Sequence, residues 1–190
     1  MEDIAKLLAR PGSIGVIATD TIYGVVARAT DQAAVARLYR LKDRHHKPGT
    51  VIASSVDQLV LLGIKRRYLK AVEQFWPGAI SVIIPCGEEL SYLHQGLRSL
   101  ALRIPDVAPL RELLERTGPL LTSSANAPGQ PPAINRAMAE NYFKDEVDFY
   151  QDGDNLENHQ PSTIIRIVDD AIEIVRPGAV RINESGRKEE

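Results

Sequence analysis

Residues 13–24, SIGVIATDTIYG, decide the fold, because a short apolar run changes here into a polar turn. The apolar run at residues 13–18 has the length and composition of a buried strand. It leads directly into Thr19, Asp20 and Thr21. Ligands of α/β sheets commonly bind beyond the ends of strands, so this junction is the first candidate for a binding site.

The rest of the chain mixes predicted strands and helices without a strict alternation. Asp31 has the position of an N-cap for a helix that runs to residue 41 and leads into the basic run 42–47. We predict further helices at residues 55–63, 68–75, 106–118 (capped by Asp106) and 135–143, a polar loop at residues 123–132, and further strands at residues 51–53, 79–84, 100–104, 120–122, 163–168 and 171–176. The last two strands form an antiparallel hairpin over Asp169 and Asp170. The pattern predicts a single α/β domain over residues 1–190, with flanking helices and a twisted, mixed parallel and antiparallel sheet.

The composition indicates an ordinary globular protein. The chain has 190 residues, 44% of them hydrophobic, and a formal net charge of -2. With this overall charge, any attraction for anions must come from a local cluster of cations. A single cysteine, Cys86, excludes an internal disulfide and favours a reducing compartment. No apolar run approaches the roughly 20 residues that span a bilayer, and residues 1–10 do not resemble a signal peptide, so we expect a cytoplasmic protein without a membrane partner.

The common nucleotide-binding and hydrolase motifs are absent from the sequence. There is no P-loop, no dinucleotide glycine fingerprint, no zinc-protease helix motif and no serine nucleophile elbow. What remains is a set of polar side chains near the predicted ends of strands and helices. They are Thr19, Asp20, Thr21, Tyr23, Lys42, Arg44, Arg103, Thr122, Ser123, Ser124, Asn126, Ser162, Thr163 and Arg176. Cations and hydroxyls gathered in one place would suit a polyphosphate, because arginine presents a rigid fork of donors.

Each of these segments also has an ordinary structural explanation. Residues 19–21 would form a hydroxyl-capped turn, and Lys42 and Arg44 would stabilise a helix end through its dipole. Residues 123–126 have a common loop composition. The sequence alone leaves both explanations open.

Arg103 is harder to explain by structure alone. It interrupts an apolar strand, and a guanidinium in that position needs an acidic partner, a sheet edge or a ligand. By contrast, His45 and His46 are adjacent but have no evident third ligand, so we predict no metal site made by protein side chains.

Together these residues resemble the motifs of the YrdC-type threonylcarbamoyl-adenylate synthases, and the resemblance extends over residues 13–181. The motifs in this sequence are Thr19-Asp20-Thr21-Ile22-Tyr23-Gly24, Lys42-Asp43-Arg44, Trp76-Pro77-Gly78, Leu102-Arg103-Ile104-Pro105, Ser124-Ala125-Asn126 with Gly129, Ser162-Thr163-Ile164, and Arg176-Pro177-Gly178. Each motif is weak alone, but the ordered set is specific. The chain departs from the family pattern at Ala18, His45, Pro48, Ala79, Ser81 and Pro128.

The resemblance implies a YrdC-like domain with a concave, positive cavity that makes threonylcarbamoyl-AMP and pyrophosphate. The substrates would be L-threonine, bicarbonate and ATP, with Mg²⁺ held by the triphosphate and water. The product would pass to partner proteins that modify adenosine 37 of tRNA. By this resemblance Thr21, Arg103, Thr122 and Ser162 would bind L-threonine, whereas Lys42, Arg44, Ser99, Ser124, Asn126 and Arg176 would bind ATP. Lys42, Arg44 and Arg103 would be the catalytic cations.

Two other functions stay open at this point. A basic concave face could bind double-stranded RNA without catalysis, and the basic cluster Lys65, Arg66, Arg67 and Lys70 could contact tRNA or simply form a solvated helix face. A related enzyme could form a carbamoyl-adenylate with another small acceptor. The hydroxyls of Thr122 and Ser162 favour threonine, whose own hydroxyl and ammonium need such partners.

Overall fold

The computed structural model describes residues 3–169 and 171–183, and within these residues all strands join one sheet. The strands are β1 (Ile14–Ile17), β2 (Gly24–Arg28), β3 (Thr50–Ile52), β4 (Ile80–Pro85), β5 (Ser99–Arg103), β6 (Leu120–Ser124), β7 (Phe149–Tyr150), β8 (Thr163–Val168) and β9 (Ala171–Arg176). Their order across the sheet is β7-β1-β2-β6-β3-β5-β4-β8-β9. The pairs β1–β7, β3–β5 and β4–β8 are parallel and the others antiparallel. The predicted mixed α/β sheet is therefore confirmed.

Several predicted helix ends are confirmed by their caps. The helices are α1 (Ile4–Leu8), α2 (Gln32–Leu41), α3 (Val56–Leu62), α4 (Arg66–Lys70), α5 (Ser91–His94), α6 (Ala108–Thr117) and α7 (Arg136–Phe143), with 3-10 helices at Glu73–Phe75, Glu88–Leu90 and Lys144–Glu146. Asp31, Ser55 and Asn135 cap α2, α3 and α7 through their side-chain oxygens. Gly63 ends α3 in the left-handed conformation. Within the described ranges, no helix combines the length and apolarity needed to cross a membrane.

The structure corrects the predicted boundaries around β6. Ser123 and Ser124 were predicted in a loop, but they continue β6, because the neighbouring strand β2 pairs with them. The strand β2 itself was not predicted, since its five residues follow the polar turn without a break.

Two helices also differ from their predictions. Val107, not Asp106, precedes α6, and it makes no side-chain cap. Pro109 stands in the first turn, where its fixed φ suits the start of a helix. The helix predicted at residues 68–75 is divided into α4 and a 3-10 helix. Asp170 of the closing turn and both predicted domain ends lie outside the described residues, so the domain range 1–190 stays a prediction.

The two faces of the sheet are covered to different extents. One face packs on the larger core, which includes Leu38 of α2, Leu59 of α3 and Leu69 of α4. The opposite face packs on α1 and α6 through a smaller core made of Leu7, Leu8, Ile17, Val26, Ile52, Leu110, Leu114, Leu120 and Phe149.

Polar residues continue this second face beyond the smaller core. Arg103 is the register partner of Ile52, and Thr122 is the register partner of Val26. Residues directly opposite each other in a sheet project to the same side. Arg103 and Thr122 therefore share a face with the smaller core, in the part that α1 and α6 do not cover.

Replacing Asp31 by alanine is expected to destabilise the fold by about 1–2 kcal/mol. One carboxylate oxygen accepts from the Ala34 amide at 3.0 Å, and the other accepts from the Gly12 amide at 2.7 Å. Urea unfolding measures this loss, with Glu112→Ala on the exposed face of α6 as the control, which should stay within about 0.5 kcal/mol. An equal loss of unfolding free energy in both variants would contradict the stabilising role of the Asp31 contacts with Ala34 and Gly12.

Candidate active site

A cavity of about 120 Å³ lies on the sheet face that α1 and α6 leave uncovered. Its floor consists of small residues on neighbouring strands, including Gly24, Thr50, Ala101 and Thr122. The cavity is lined by Thr19, Thr21, Ile22, Tyr23, Gly24, Arg44, Pro48, Gly49, Thr50, Ala101, Arg103, Thr122, Ser123, Ser124, Pro161, Ser162, Ile164 and Arg176. Three arginines and several hydroxyls therefore face one small space. All four residues predicted to bind threonine are among them.

Arg103 lies at the end of β5 with only 3% of its side chain exposed. Its Nη1 donates a hydrogen bond to Oδ1 of Asp20, whose side chain is 6% exposed. The structure thus provides the acidic partner that the sequence left open, and it also places Arg103 in the cavity lining. One explanation does not exclude the other, because a guanidinium has five donors.

Arg176 and Ser162 form another part of the cavity lining. Nη2 of Arg176 donates to the main-chain oxygen of Ser162 at 2.7 Å and approaches its hydroxyl at 3.4 Å. Burial lowers the pKa of Arg176, and the positive charges of Arg44 and Arg103 lower it further. The guanidinium is therefore held by a neutral partner in a positive surrounding.

Two further residues hold Ser162 in place. The hydroxyl of Ser81, which is fully buried in β4, lies 2.9 Å from the hydroxyl of Ser162. Ser81 departs from the family pattern, yet it retains a hydroxyl for this contact. Gly178 passes so close that an added Cβ would lie 2.2 Å from the Pro161 carbonyl oxygen. A side chain at position 178 would displace the segment that carries Ser162.

Glycine also makes room for Thr122 at the centre of the floor. A Cβ on Gly24 would lie 2.4 Å from the Thr122 hydroxyl, and a Cβ on Gly49 would lie 2.5 Å from its main-chain oxygen. The hydroxyl of Thr122 therefore occupies space that any larger residue at position 24 would take.

Arg44 enters the cavity from the segment that follows α2. Its Nη1 donates to the main-chain oxygens of Lys47 at 3.3 Å and Pro48 at 3.2 Å. Burial lowers its pKa. Pro48, another departure from the family pattern, itself lines the cavity.

Lys42, Asn126 and Ser124 form a hydrogen-bonded chain at the margin of the cavity. Nζ of Lys42 donates to the main-chain oxygen of Asn126 and, at 2.9 Å, to its Oδ1. The same Oδ1 accepts from the Ser124 hydroxyl at 2.7 Å. Burial lowers the pKa of Lys42 to about 8, and the nearby charge of Arg44 contributes. Only Ser124 of the three lines the cavity, so the structure connects Lys42 and Asn126 to it indirectly.

Ser99 lies on the same strand as Arg103 but at its other end. It begins β5, whereas Arg103 ends it. The alternation of the strand puts both on one face, but four residues correspond to about 13 Å. Ser99 does not line the cavity, and its role stays a prediction for a ligand that extends beyond it.

Two residues were not assigned to the site from the sequence. Ser81 was named only as a departure from the family pattern. Like Arg103, however, it is a polar residue in an apolar strand, between Ile80 and Val82, and such a residue needs a polar partner. Asp20 was noted only as a polar residue after β1, since nothing in the sequence identifies its partner. Within residues 3–169 and 171–183, no three histidine, cysteine or acidic side chains gather into a metal site.

Comparison with known sequences identifies the family to which this chain is similar. A family model described as "Telomere recombination", named for Sua5, YciO and YrdC, matches residues 8–178. A protein of Pseudomonas aeruginosa named threonylcarbamoyl-AMP synthase is 32% identical over 177 residues, which cover 91% of this chain and 95% of the relative.

Solved structures give the same result for the fold. Sua5 of P. abyssi complexed with L-threonine superposes with a TM-score of 0.82 at 26% identity, covering 93% of this chain. The match covers 53% of that Sua5 chain, so this chain spans about half its length. YciO of E. coli superposes with a TM-score of 0.79 at 20% identity, covering 93% of this chain and 87% of YciO.

We expect the Lys42 ammonium to titrate at about pH 8 in the folded protein, because burial disfavours its charged form. Between this value and the ordinary 10.5 the unfolded chain binds more protons than the folded one, so the free energy of unfolding should rise with pH in this window. The measurement is an NMR titration of the lysine side chains, with Lys42→Met to assign the signal. In Lys42→Met the free energy of unfolding should rise less with pH than in the unmodified protein. A titration midpoint of Lys42 near 10.5 would contradict the described burial.

Proposed function

Because the chain belongs to the Sua5/YciO/YrdC family, we propose that it makes threonylcarbamoyl-AMP and pyrophosphate from L-threonine, bicarbonate and ATP. The observation that carries the proposal is the cavity in which Arg44, Arg103 and Arg176 converge on buried hydroxyls. Such a site suits a substrate pair that brings a carboxylate and a polyphosphate together.

The size of the cavity indicates that only one of the two substrates lies inside it. At about 120 Å³ it is smaller than the roughly 300–1,000 Å³ of pockets that enclose a drug-sized ligand. A small amino acid is the ligand that suits the cavity itself, with Thr21, Arg103, Thr122 and Ser162 as its partners. ATP would lie across the opening, with its phosphates toward Arg44, Arg176 and Ser124, and with Lys42, Asn126 and Ser99 farther along.

The chemistry needs positioning and charge neutralisation more than a covalent catalyst. The neutral threonine amine combines with bicarbonate to give a carbamate: an N–C bond forms, one C–O bond of bicarbonate breaks, and the hydroxyl leaves as water with a proton from the amine. A carbamate oxygen then bonds to the α-phosphorus of ATP while the bond to the departing pyrophosphate breaks. Lys42, Arg44 and Arg176 would stabilise the charge that develops on the phosphates. This role is nucleotidyl transfer, and it requires no nucleophilic side chain.

The described residues do not fit a magnesium site of the protein's own. Within the described residues no carboxylate lines the cavity, which offers hydroxyls and cations, and Asp20 is engaged by Arg103. Mg²⁺ would therefore arrive with the triphosphate, which commonly supplies most of its ligands together with water. No step of the proposed mechanism depends on a protein-held metal.

The other two functions are less well supported. A double-stranded RNA module would need an extended basic surface, whereas the three arginines here converge on a small cavity. A different acceptor would not use the hydroxyls of Thr122 and Ser162, which suit threonine's own hydroxyl and ammonium. We further propose that the product passes, in the cytoplasm, to proteins that modify tRNA, and that any tRNA contact lies outside the cavity.

Incubation with ATP should release pyrophosphate fastest when L-threonine and bicarbonate are both present, and not at all when bicarbonate or every amino acid is left out. Serine, which lacks only the methyl group of threonine, should react more slowly but measurably. One methyl group in a pocket gives only modest discrimination between two substrates. A coupled pyrophosphate assay with each amino acid tests this. Equal rates with unrelated amino acids, or release without any amino acid, would contradict the proposal.

Arg44→Ala should raise the KM for ATP by about 10- to 150-fold, because a charge-assisted hydrogen bond contributes roughly 1.5–3 kcal/mol. The KM for threonine should change little. The matched control is Arg40→Ala, one helical turn earlier and exposed, which should keep both constants. Melting temperatures of both variants separate a loss of binding from a loss of the contacts to Lys47 and Pro48. An unchanged KM for ATP would remove Arg44 from the site.

A further inference from the structure

The ion pair between Arg103 and Asp20 is unusual for its burial. Within the described residues it is the one ion pair whose two side chains are both less than a tenth exposed. A buried ion pair is a weak source of stability, because the desolvation of both charges offsets their attraction. Its presence beside a cavity points to a geometric role.

The loop that carries Asp20 is fixed by a threonine. The Thr19 hydroxyl donates to the Ile22 carbonyl oxygen at 2.7 Å and accepts from the amides of Thr21 at 3.2 Å and Ile22 at 3.3 Å. Thr21 lines the cavity, whereas Asp20 lines a neighbouring surface pocket with Gly178 and Arg181. Asp20 therefore contacts Arg103 from outside the space in which a ligand would lie.

Arg103 retains donors that the protein does not use. Asp20 engages Nη1, and Nε is buried with no partner within the described part of the chain. An arginine fork recognises a carboxylate well only when its plane is fixed. The Asp20 carboxylate, which accepts from Nη1 on the side away from the cavity, can fix the plane of the Arg103 guanidinium in this way.

The partners of the other two arginines differ in kind. Arg44 and Arg176 donate to main-chain oxygens, and no acid within residues 3–169 and 171–183 forms an ion pair with either. Their charge is left for a ligand, whereas that of Arg103 is already balanced. Polyphosphates should therefore favour Arg44 and Arg176 over Arg103.

We propose that Asp20 is a positioning and specificity residue, which orients the guanidinium of Arg103 and reserves it for the single carboxylate of an amino acid rather than for phosphate. The inference rests on the proposed function, because it assumes that the amino-acid substrate binds at Arg103. Asp20 acts through Arg103 and does not itself contact the substrate.

The experiment compares Asp20→Ala, which removes both the acceptor and the charge, with Asp20→Asn, which removes only the charge. Calorimetry measures the Kd of L-threonine and, separately, of inorganic pyrophosphate. Asp20→Ala should weaken threonine binding by about 10-fold or more, and Asp20→Asn should recover part of this loss. Both variants should bind pyrophosphate several-fold more tightly than the unmodified protein. The control is Asp57→Asn, an exposed acid that pairs with Arg66, and it should change neither constant.

A double variant tests whether Asp20 acts through Arg103. In the Arg103→Gln background, Asp20→Ala should change the Kd of threonine by less than about 2-fold, because the group it positions is gone. A further large loss would indicate direct contact between Asp20 and the ligand and would overturn the positioning role. Threonine affinity in Asp20→Ala equal to that of the unmodified protein would overturn it as well, and unchanged pyrophosphate affinity in both variants would overturn the specificity role.

A measurement on the unmodified protein keeps the inference testable if the variants do not fold. The Nη resonances of Arg103, assigned with Arg103→Lys, should be separate in the ligand-free protein, because contact with Asp20 restricts rotation of the guanidinium. A single averaged signal would contradict the positioning role. Absence of threonine binding to the unmodified protein would instead contradict the proposed function, while the NMR and pyrophosphate results would still decide the role of Asp20.

Discussion

The convergence of three guanidinium groups on one sheet face is the constraint on which the rest of the structure depends. Arg103 is buried, Arg44 is half-buried and Arg176 is exposed, and each cation needs partners for the donors that it withdraws from water. The chain gives each guanidinium a different kind of partner: Arg103 donates to the Asp20 carboxylate, Arg176 donates to the Ser162 carbonyl oxygen, and Arg44 donates to loop carbonyl oxygens. Carbonyl oxygens occupy donors without neutralising their charge, so the cavity stays positive although the protein as a whole has a net charge of -2.

The sheet order, more than any one motif, creates this cavity. Strand β6 lies between β2 and β3, and β5 follows β3, so that residues distant in sequence become neighbours. Small side chains at these central positions leave a depression, while α1 and α6 cover only the other end of the face. A bulkier residue at Gly24 or Gly49 would meet Thr122 directly. The depression is therefore a property of the register between strands.

The sequence predicted much of the fold and part of the site. Capped helices such as α2 and the closing strands β8 and β9 are local in origin, and their predicted residues agree with the structure. Strand β2 was not predicted, because its five residues follow the polar turn without a break; in the sheet it pairs with β1 on one side and with β6, far along the chain, on the other. Arg103 could be singled out because a cation is conspicuous in an apolar strand. Asp20 could not be assigned to it, because their contact exists only once strands β1 and β5 lie in one sheet.

The position of the last two strands has a consequence for biosynthesis. Ser162 and Arg176 reach the cavity only through β8, which pairs in parallel with β4, and β9, which pairs with β8. These segments leave the ribosome after every other part of the cavity lining. A nascent chain that has already folded its central strands still lacks one wall of the cavity. The growing polypeptide therefore has no complete pocket until synthesis has passed residue 176, and the two closing strands act as the final step of maturation.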